Sequence, residues 1–78
     1  MINQYYSTSD LALVTAISLF LPIESIDKQN PRKAEFLFNR TKELNKLIDR
    51  YWKKELLVEP RTFFDQLKAL KARLYGNE

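Results

Sequence analysis

The side chains best suited to bind a ligand are cations repeated at one-turn spacing in the second half of the chain. Three of them occupy positions i, i+4 and i+8, which places them in a row on one side of a helix: Lys42, Lys46 and Arg50. Lys53 and Lys54 extend this row. Such a row can follow the phosphates of DNA or RNA, with an affinity that falls as salt rises. The alternative is an ordinary solvated face, since two carboxylates share the segment.

A second set of cations follows in the last third of the chain. Arg61, Lys68, Lys71 and Arg73 fall on the polar face of the next predicted helix, with Asp65 as the opposing charge. A helix of this charge fits the major groove of DNA. Cations near a helix C-terminus also complement the helix dipole, so a structural role is the alternative. No sequence motif of a known DNA-binding class accompanies either set.

The composition argues against catalysis. The sequence holds no cysteine and no histidine, which removes the commonest zinc ligands and the commonest nucleophile–base pairs. Its single glycine, Gly76, cannot build a phosphate-cradling loop. Glu24 and Glu35 could approach each other on a hairpin, but a strand surface is not a cleft. We therefore expect no enzyme, no metal and no cofactor.

Length and charge set the broad class. The 78 residues suffice for a single domain, 1–78, and 45% are hydrophobic, as in globular proteins. The apolar run 11–23 is too short for a bilayer span of about 20 residues, so no membrane association is expected. The absence of cysteine suits the cytoplasm. Residues 1–30 hold one basic and three acidic groups, whereas residues 31–78 hold 12 and 7. This asymmetry favours a polyanion as partner.

The elements that position these charges begin with an apolar helix. Ser7 and Asp10 have the spacing of a capping box, and Pro22 forbids continuation, so we expect a helix over residues 8–20. This helix is apolar on nearly every side. Such a helix is normally buried on every side, here between a sheet and other helices or in a subunit interface.

A β-hairpin is predicted next, with strands at 23–28 and 33–39 around a turn at 29–32. With Lys28 opposite Lys33, Ser25 would face Phe36 on the core side. Ile26 and Leu37 would then form a small apolar spot on the outer side. This spot is either covered by the chain or offered to a partner protein.

Two further amphipathic helices close the chain. The first, over 41–54, has a core-facing stripe of Leu44, Leu47, Ile48, Tyr51 and Trp52. Residues 56–58 form a short strand or an extended connector. The last helix starts at Pro60, with Gly76 as its C-cap. Its predicted buried stripe is Phe63, Phe64, Leu67, Leu70, Leu74 and Tyr75.

Five aromatic side chains have the chemistry to stack on unpaired bases: Tyr5, Tyr6, Tyr51, Trp52 and Tyr75. Packing in the core or at a helix start accounts for all of them except Tyr5. We therefore interpret this set as structural.

Four stretches of the sequence resemble an uncharacterised family of short prokaryotic and phage proteins classed as a domain of unknown function. They are residues 5–11, 30–38, 47–52, and 58–60 continuing to 70–75. The resemblance covers nearly the whole chain, and its markers are core and cap residues. It implies no activity, substrate or cofactor. Small proteins of mobile elements frequently bind nucleic acid, which is all that the resemblance implies about partners.

The predicted fold is α+β, in the order helix, β-hairpin, helix, short strand or connector, helix. The favoured function is an accessory nucleic-acid-binding domain that uses the basic faces of the second and third helices. The alternative is a protein-interaction or self-association module, such as a homodimer, that uses the apolar first helix and the Ile26 and Leu37 face of the hairpin.

Overall fold

Three helices pack on one face of a three-stranded antiparallel sheet in a computed structural model, which describes residues 4–30 and 33–75. The order is β1 (Tyr5–Thr8), α1 (Leu11–Ser18), β2 (Ser25–Asp27), β3 (Glu35–Asn39), α2 (Lys42–Trp52) and α3 (Pro60–Tyr75). The predicted α+β class is confirmed, and residues 56–58 form a connector without strand structure. The predicted turn residues Pro31 and Arg32 and the predicted cap Gly76 lie outside the described residues.

A strand that the sequence analysis missed occupies the N-terminus. β1 pairs with the central strand β3, with Tyr6 opposite Phe38. The helix therefore begins at Leu11, three residues later than predicted. Asp10, and not Ser7, is its N-cap, because the Asp10 Oδ1 accepts a 3.2 Å hydrogen bond from the Leu13 N–H. A carboxylate there also complements the positive end of the helix dipole.

The short helix α1 is the most deeply buried element. All five residues from Leu13 to Ile17 are buried, and α1 packs against both α2 and α3. The hydroxyl of Thr15 is satisfied in this interior, since its Oγ1 donates a 2.7 Å hydrogen bond to the Leu11 carbonyl. The core is completed by two phenylalanines of β3 and one leucine each from α2 and α3: Phe36, Phe38, Leu44 and Leu70.

The predicted hairpin register is wrong by one residue. Ser25 pairs with Leu37 and Ile26 with Phe36, so Ile26 lies on the core side of the sheet. The predicted register would have placed a serine beside Phe36 in the core and left the isoleucine outside. Because one slip exchanges the two faces of a strand, burial of apolar surface selects the observed pairing.

Ile26 and Leu37 consequently lie on opposite faces of the sheet and form no common apolar spot. Leu37 stands on the outer face between Ser7 and Ser25, its partners on the two neighbouring strands. Both serines are exposed, whereas Leu37 is half-buried. Among residues 4–30 and 33–75, the helices pack on the other face, so no helix covers this outer face.

α2 is defined by local hydrogen bonds at both ends. The Thr41 Oγ1 caps its start by accepting a 3.1 Å bond from the Leu44 N–H. At its end, the Glu55 N–H donates to the Arg50 carbonyl at 2.8 Å and the Lys54 N–H to the Tyr51 carbonyl at 3.0 Å. This pair of bonds is a Schellman motif, which requires a left-handed residue after the C-cap. Lys54 supplies it with φ 62°.

Replacing Lys54 with glycine should stabilise the protein by about 1 kcal/mol, because a side chain in the left-handed region costs about 1–2 kcal/mol that glycine avoids. The measurement is the urea midpoint at unchanged m-value. Lys54→Ala is the control, since it removes the same charge and keeps Cβ. Equal midpoints for the two variants would contradict this account of the Schellman motif.

α3 begins with a carboxylate cap and a proline. The Glu59 Oε1 accepts a 2.7 Å bond from the Thr62 N–H and a 2.9 Å bond from the Thr62 hydroxyl. Pro60 follows at the first helical position, where its missing N–H has no consequence. The hydrogen bonds from the Thr62 and Arg61 backbone to the charged form lower the pKa of Glu59 below its usual value of 4.5.

Because its pKa is lowered on folding, ionised Glu59 stabilises the fold above pH 4.5, and this contribution disappears as pH falls through the folded-state pKa. Glu59→Gln should therefore lower the thermal midpoint at pH 7, and the difference from wild type should shrink in acid. Glu55→Gln controls for the change in net charge. A difference that is independent of pH would rule out the charged cap.

Candidate functional site

The cations of α2 form an exposed row on the side of the helix away from Leu44. Lys42, Lys46 and Arg50 are exposed and make no ion pair with any other residue in the described part of the chain. Their spacing places them along one side of α2, as predicted. We call these three residues the α2 row. Glu43 and Asp49 flank this row around the helix without forming an ion pair with it.

The two lysines predicted to extend this row differ from it. Lys53 forms an ion pair with Asp49 at 3.1 Å, and both side chains are about 60% exposed. An exposed pair of this kind contributes only about 0.3–0.5 kcal/mol and is screened by salt. Lys53 is therefore partly neutralised, whereas Lys54 is exposed in the turn that follows the helix.

A second basic surface follows α3. The residues at i, i+3, i+7, i+10 and i+14 are all exposed and fall within roughly 80° of one another around the helix at about 100° per residue. We call these residues the α3 stripe: Arg61, Phe64, Lys68, Lys71 and Tyr75. Asp65, the acidic residue of the helix, lies outside the stripe. The α3 stripe therefore combines three cations with two aromatic rings and no carboxylate.

The aromatic rings of the α3 stripe are at the surface, contrary to the prediction that they belong to the buried stripe of α3. Phe64 is 54% and Tyr75 is 78% exposed. The Lys68 Nζ lies 5.3 Å from the centroid of the Phe64 ring, which is a cation–π contact. Both rings are roughly 120–140° around the helix from buried Leu70. This angle follows from the spacing of the residues and could have been calculated from the sequence.

Trp52 at the end of α2 departs from its predicted position in the same way. It is 61% exposed and stands edge-on to Tyr51, with ring centroids 5.0 Å apart. Tyr51 is half-buried beside α1. Burial, followed by the negative charge of Asp10, raises the pKa of the Tyr51 hydroxyl. Tyr51 is thus structural, whereas Trp52 is available at the surface.

Two other cations have structural contacts and do not join either surface. The Lys28 Nζ donates a 2.9 Å hydrogen bond to the Arg73 carbonyl, where a cation complements the C-terminal end of the α3 dipole. Arg40 lies over the Tyr6 ring, with its guanidinium carbon 5.6 Å from the centroid. The Lys28 contact links the hairpin to α3, and the Arg40 contact links the end of β3 to β1.

Two acidic side chains of the hairpin lie side by side. Asp27 and Glu35 are cross-strand neighbours on the outer face. The predicted approach of Glu24 to Glu35 is replaced by a 2.8 Å hydrogen bond from the Asn39 Nδ2 to the Glu24 Oε2. Residues 24–39 hold three acidic and three basic side chains, whereas α3 holds one acidic and four basic ones, so the excess of positive charge lies mainly on α3.

Two concave features formed by described residues are small. One pocket, lined by Leu21, Pro22, Phe38, Asn39 and Thr41, encloses about 120 Å³. Another of about 200 Å³ lies beside Asp27 and Glu35. Both are below the roughly 300–1,000 Å³ of typical ligand sites. Within the described ranges, no three acidic side chains are grouped closely enough to hold a metal ion.

No helix among residues 4–30 and 33–75 has the length and apolar character that crossing a bilayer requires. No curated protein and no solved structure matches the chain. The profile of one family does match, over residues 3–76 of the 78, and confirms the resemblance noted in the sequence. The chain therefore belongs to the family described as Domain of unknown function (DUF5659).

Proposed function

We propose that this chain is a non-catalytic, cytoplasmic accessory domain that binds DNA or RNA through the α2 row and the α3 stripe. The observation that carries the proposal is how few of the cations on these helices are paired with a carboxylate. In the part of the chain that the structure describes, Lys53 is the one cation held by a carboxylate. The others on these faces are free to meet phosphates.

The position of the acidic residues supports the same orientation. A polyanion approaching the hairpin would meet Asp27 and Glu35 side by side, whereas one approaching α2 or α3 meets exposed ammonium and guanidinium groups. The excess of cations over carboxylates on α2 and α3 steers the polyanion towards these helices. Each phosphate contact would release a counterion and add about 0.9 to the slope of log K against log salt for duplex DNA.

The double variant Lys46→Glu with Arg50→Glu should weaken binding of a mixed-sequence duplex more than tenfold at roughly 50 mM salt and reduce the salt slope by about 2, because two phosphate contacts are lost. Fluorescence anisotropy with a labelled duplex measures both quantities. Circular dichroism checks that the fold is retained, as expected for exposed residues.

Lys46→Glu alone and Lys33→Glu form a matched pair, since both reverse one exposed charge. Lys33 lies beside the hairpin, outside both basic surfaces. The proposal requires a larger loss of affinity from Lys46→Glu. Equal losses would mean that net charge alone drives association, and unchanged binding by the double variant would remove the α2 row from the proposal.

A second candidate function, protein interaction or self-association, is favoured by the open outer face of the sheet. α1, the other surface considered for this role, is occupied by packing within the chain. On the outer face, half-buried Leu37 lies between exposed serines, and Tyr5 is 42% exposed. An uncovered sheet face with an apolar centre is a common docking surface.

On this second candidate, the protein should self-associate at high concentration, and Leu37→Lys should weaken the association at least tenfold because it buries a charge in the contact. Sedimentation equilibrium measures the association constant. Ser25→Lys, a neighbouring substitution on the same face, tests whether the apolar centre matters more than added charge. A wild-type protein that stays monomeric throughout would exclude self-association.

A further inference from the structure

We infer that the α3 stripe is a site for single-stranded nucleic acid, in which unpaired bases stack on Phe64 and Tyr75 while Lys68 and Lys71 contact the phosphates. This inference rests on the function proposed above and restricts the proposed ligand from DNA or RNA in general to a single strand. It assigns separate roles to the ring and the cation side chains of one helix face.

The spacing of the stripe suits a strand lying along the helix. Phe64 and Tyr75 are 11 positions apart, which is three turns and about 16 Å along the axis. At the stacked rise of about 3.4 Å per nucleotide, this length corresponds to roughly five nucleotides, and to fewer in an extended strand. Lys68 and Lys71 lie between the two rings. Stacking platforms and phosphate contacts therefore alternate along one line.

The exposure of the rings indicates stacking rather than packing. A phenylalanine that is 54% exposed and a tyrosine that is 78% exposed contribute little to the core. Around Phe64, the Lys68 ammonium group is 5.3 Å from the ring centroid. A base that takes the ring face brings its own phosphate close to this lysine. The exposed cation–π contact is weak enough to exchange for a base and a phosphate.

The side-chain amides that read adenine in duplex DNA are missing from this face. Adenine in the major groove is read by asparagine or glutamine, and the α3 stripe has neither. Gln66, the amide on α3, is half-buried and donates a 2.9 Å hydrogen bond to the Ser18 Oγ. Of the stripe, Arg61 alone carries the fork that pairs with guanine. Stacking, which tolerates any sequence, requires bases that are not already paired.

An anionic membrane surface is the other polyanion with an affinity for lysine and aromatic residues. Insertion at a lipid surface requires a broad apolar helix face, whereas the broad apolar face of α3 packs against the core through Leu70. The exposed stripe has two rings separated by two lysines. This pattern favours alternating contacts with a nucleic-acid strand over insertion.

The test compares labelled oligo-dT of 20 nucleotides with a 20-base-pair mixed-sequence duplex by fluorescence anisotropy at low salt. Vesicles of phosphatidylserine and phosphatidylcholine form a third arm. Phe64→Leu removes the π face and keeps apolar bulk. Tyr75→Leu does the same at the other end of the stripe. Phe20→Leu is the matched control, since Phe20 is 51% exposed and lies after α1, outside the stripe.

We expect oligo-dT to bind more tightly than the duplex. Phe64→Leu and Tyr75→Leu should each weaken oligo-dT binding about fivefold or more, with a smaller effect on the duplex, because one stacking contact is lost. Phe20→Leu should leave both affinities unchanged. Thermal midpoints close to that of wild type establish that the variants are folded.

Failure of the inference is distinguishable from failure of the proposed function. Binding of both nucleic acids with equal or greater affinity for the duplex, or unchanged binding by folded Phe64→Leu and Tyr75→Leu, overturns the stacking site and leaves nucleic-acid binding in place. Binding of neither nucleic acid overturns both. Binding of vesicles but of neither nucleic acid also overturns both and identifies the stripe as a lipid-surface site.

Discussion

The structure depends on the burial of one short helix. α1 is apolar around nearly its whole circumference, and the five residues from Leu13 to Ile17 are buried. No disulfide is available in a chain without cysteine, so packing alone must cover this helix. The sheet covers one side through Phe36 and Phe38, while α2 and α3 cover the others. A chain of this size buries only roughly 60–65% of its unfolded surface, and α1 is where that burial is concentrated.

The packing of α2 and α3 against α1 determines which of their side chains remain at the protein surface. Because α2 and α3 direct their main apolar sides towards α1, their remaining sides carry most of their polar residues, and cations outnumber carboxylates there. Cations that have structural work, such as Lys28 at the Arg73 carbonyl and Arg40 over Tyr6, belong to the hairpin side of the fold. Among the described residues, the cations of the α2 row and the α3 stripe link no two elements, and the contact of Lys68 with the Phe64 ring lies within α3 itself. The chain thus separates the charges that hold elements together from those that remain free.

Sequence patterns predicted the helices well, because a 3.6-residue period and a proline are local signals. The start of α2 near Thr41, the start of α3 at Pro60 and the core positions Leu44 and Leu70 were all predicted from the sequence. β1 was missed because Ser7 mimicked a cap, and four residues acquire strand structure only by pairing with β3. The prediction of the hairpin register was wrong because the register depends on which side chains become buried in the core, and this is not a local signal. The spacing of the cations predicted the α2 row. The exposed rings of α3 were wrongly assigned to the buried stripe, because that stripe was taken to cover too wide an arc of the helix.

The direction of the basic surfaces is fixed at the ends of the connector between α2 and α3. At one end, Lys54 adopts a left-handed conformation that completes the Schellman motif, and at the other Glu59 caps α3 through Thr62. Neither device depends on a large core, and Leu57 between them is 85% exposed. Local backbone geometry therefore turns the chain from one basic helix to the next, while α1 holds both. A small domain can thus present an ordered surface, since the positions of its charges and rings follow from helix ends and one buried helix.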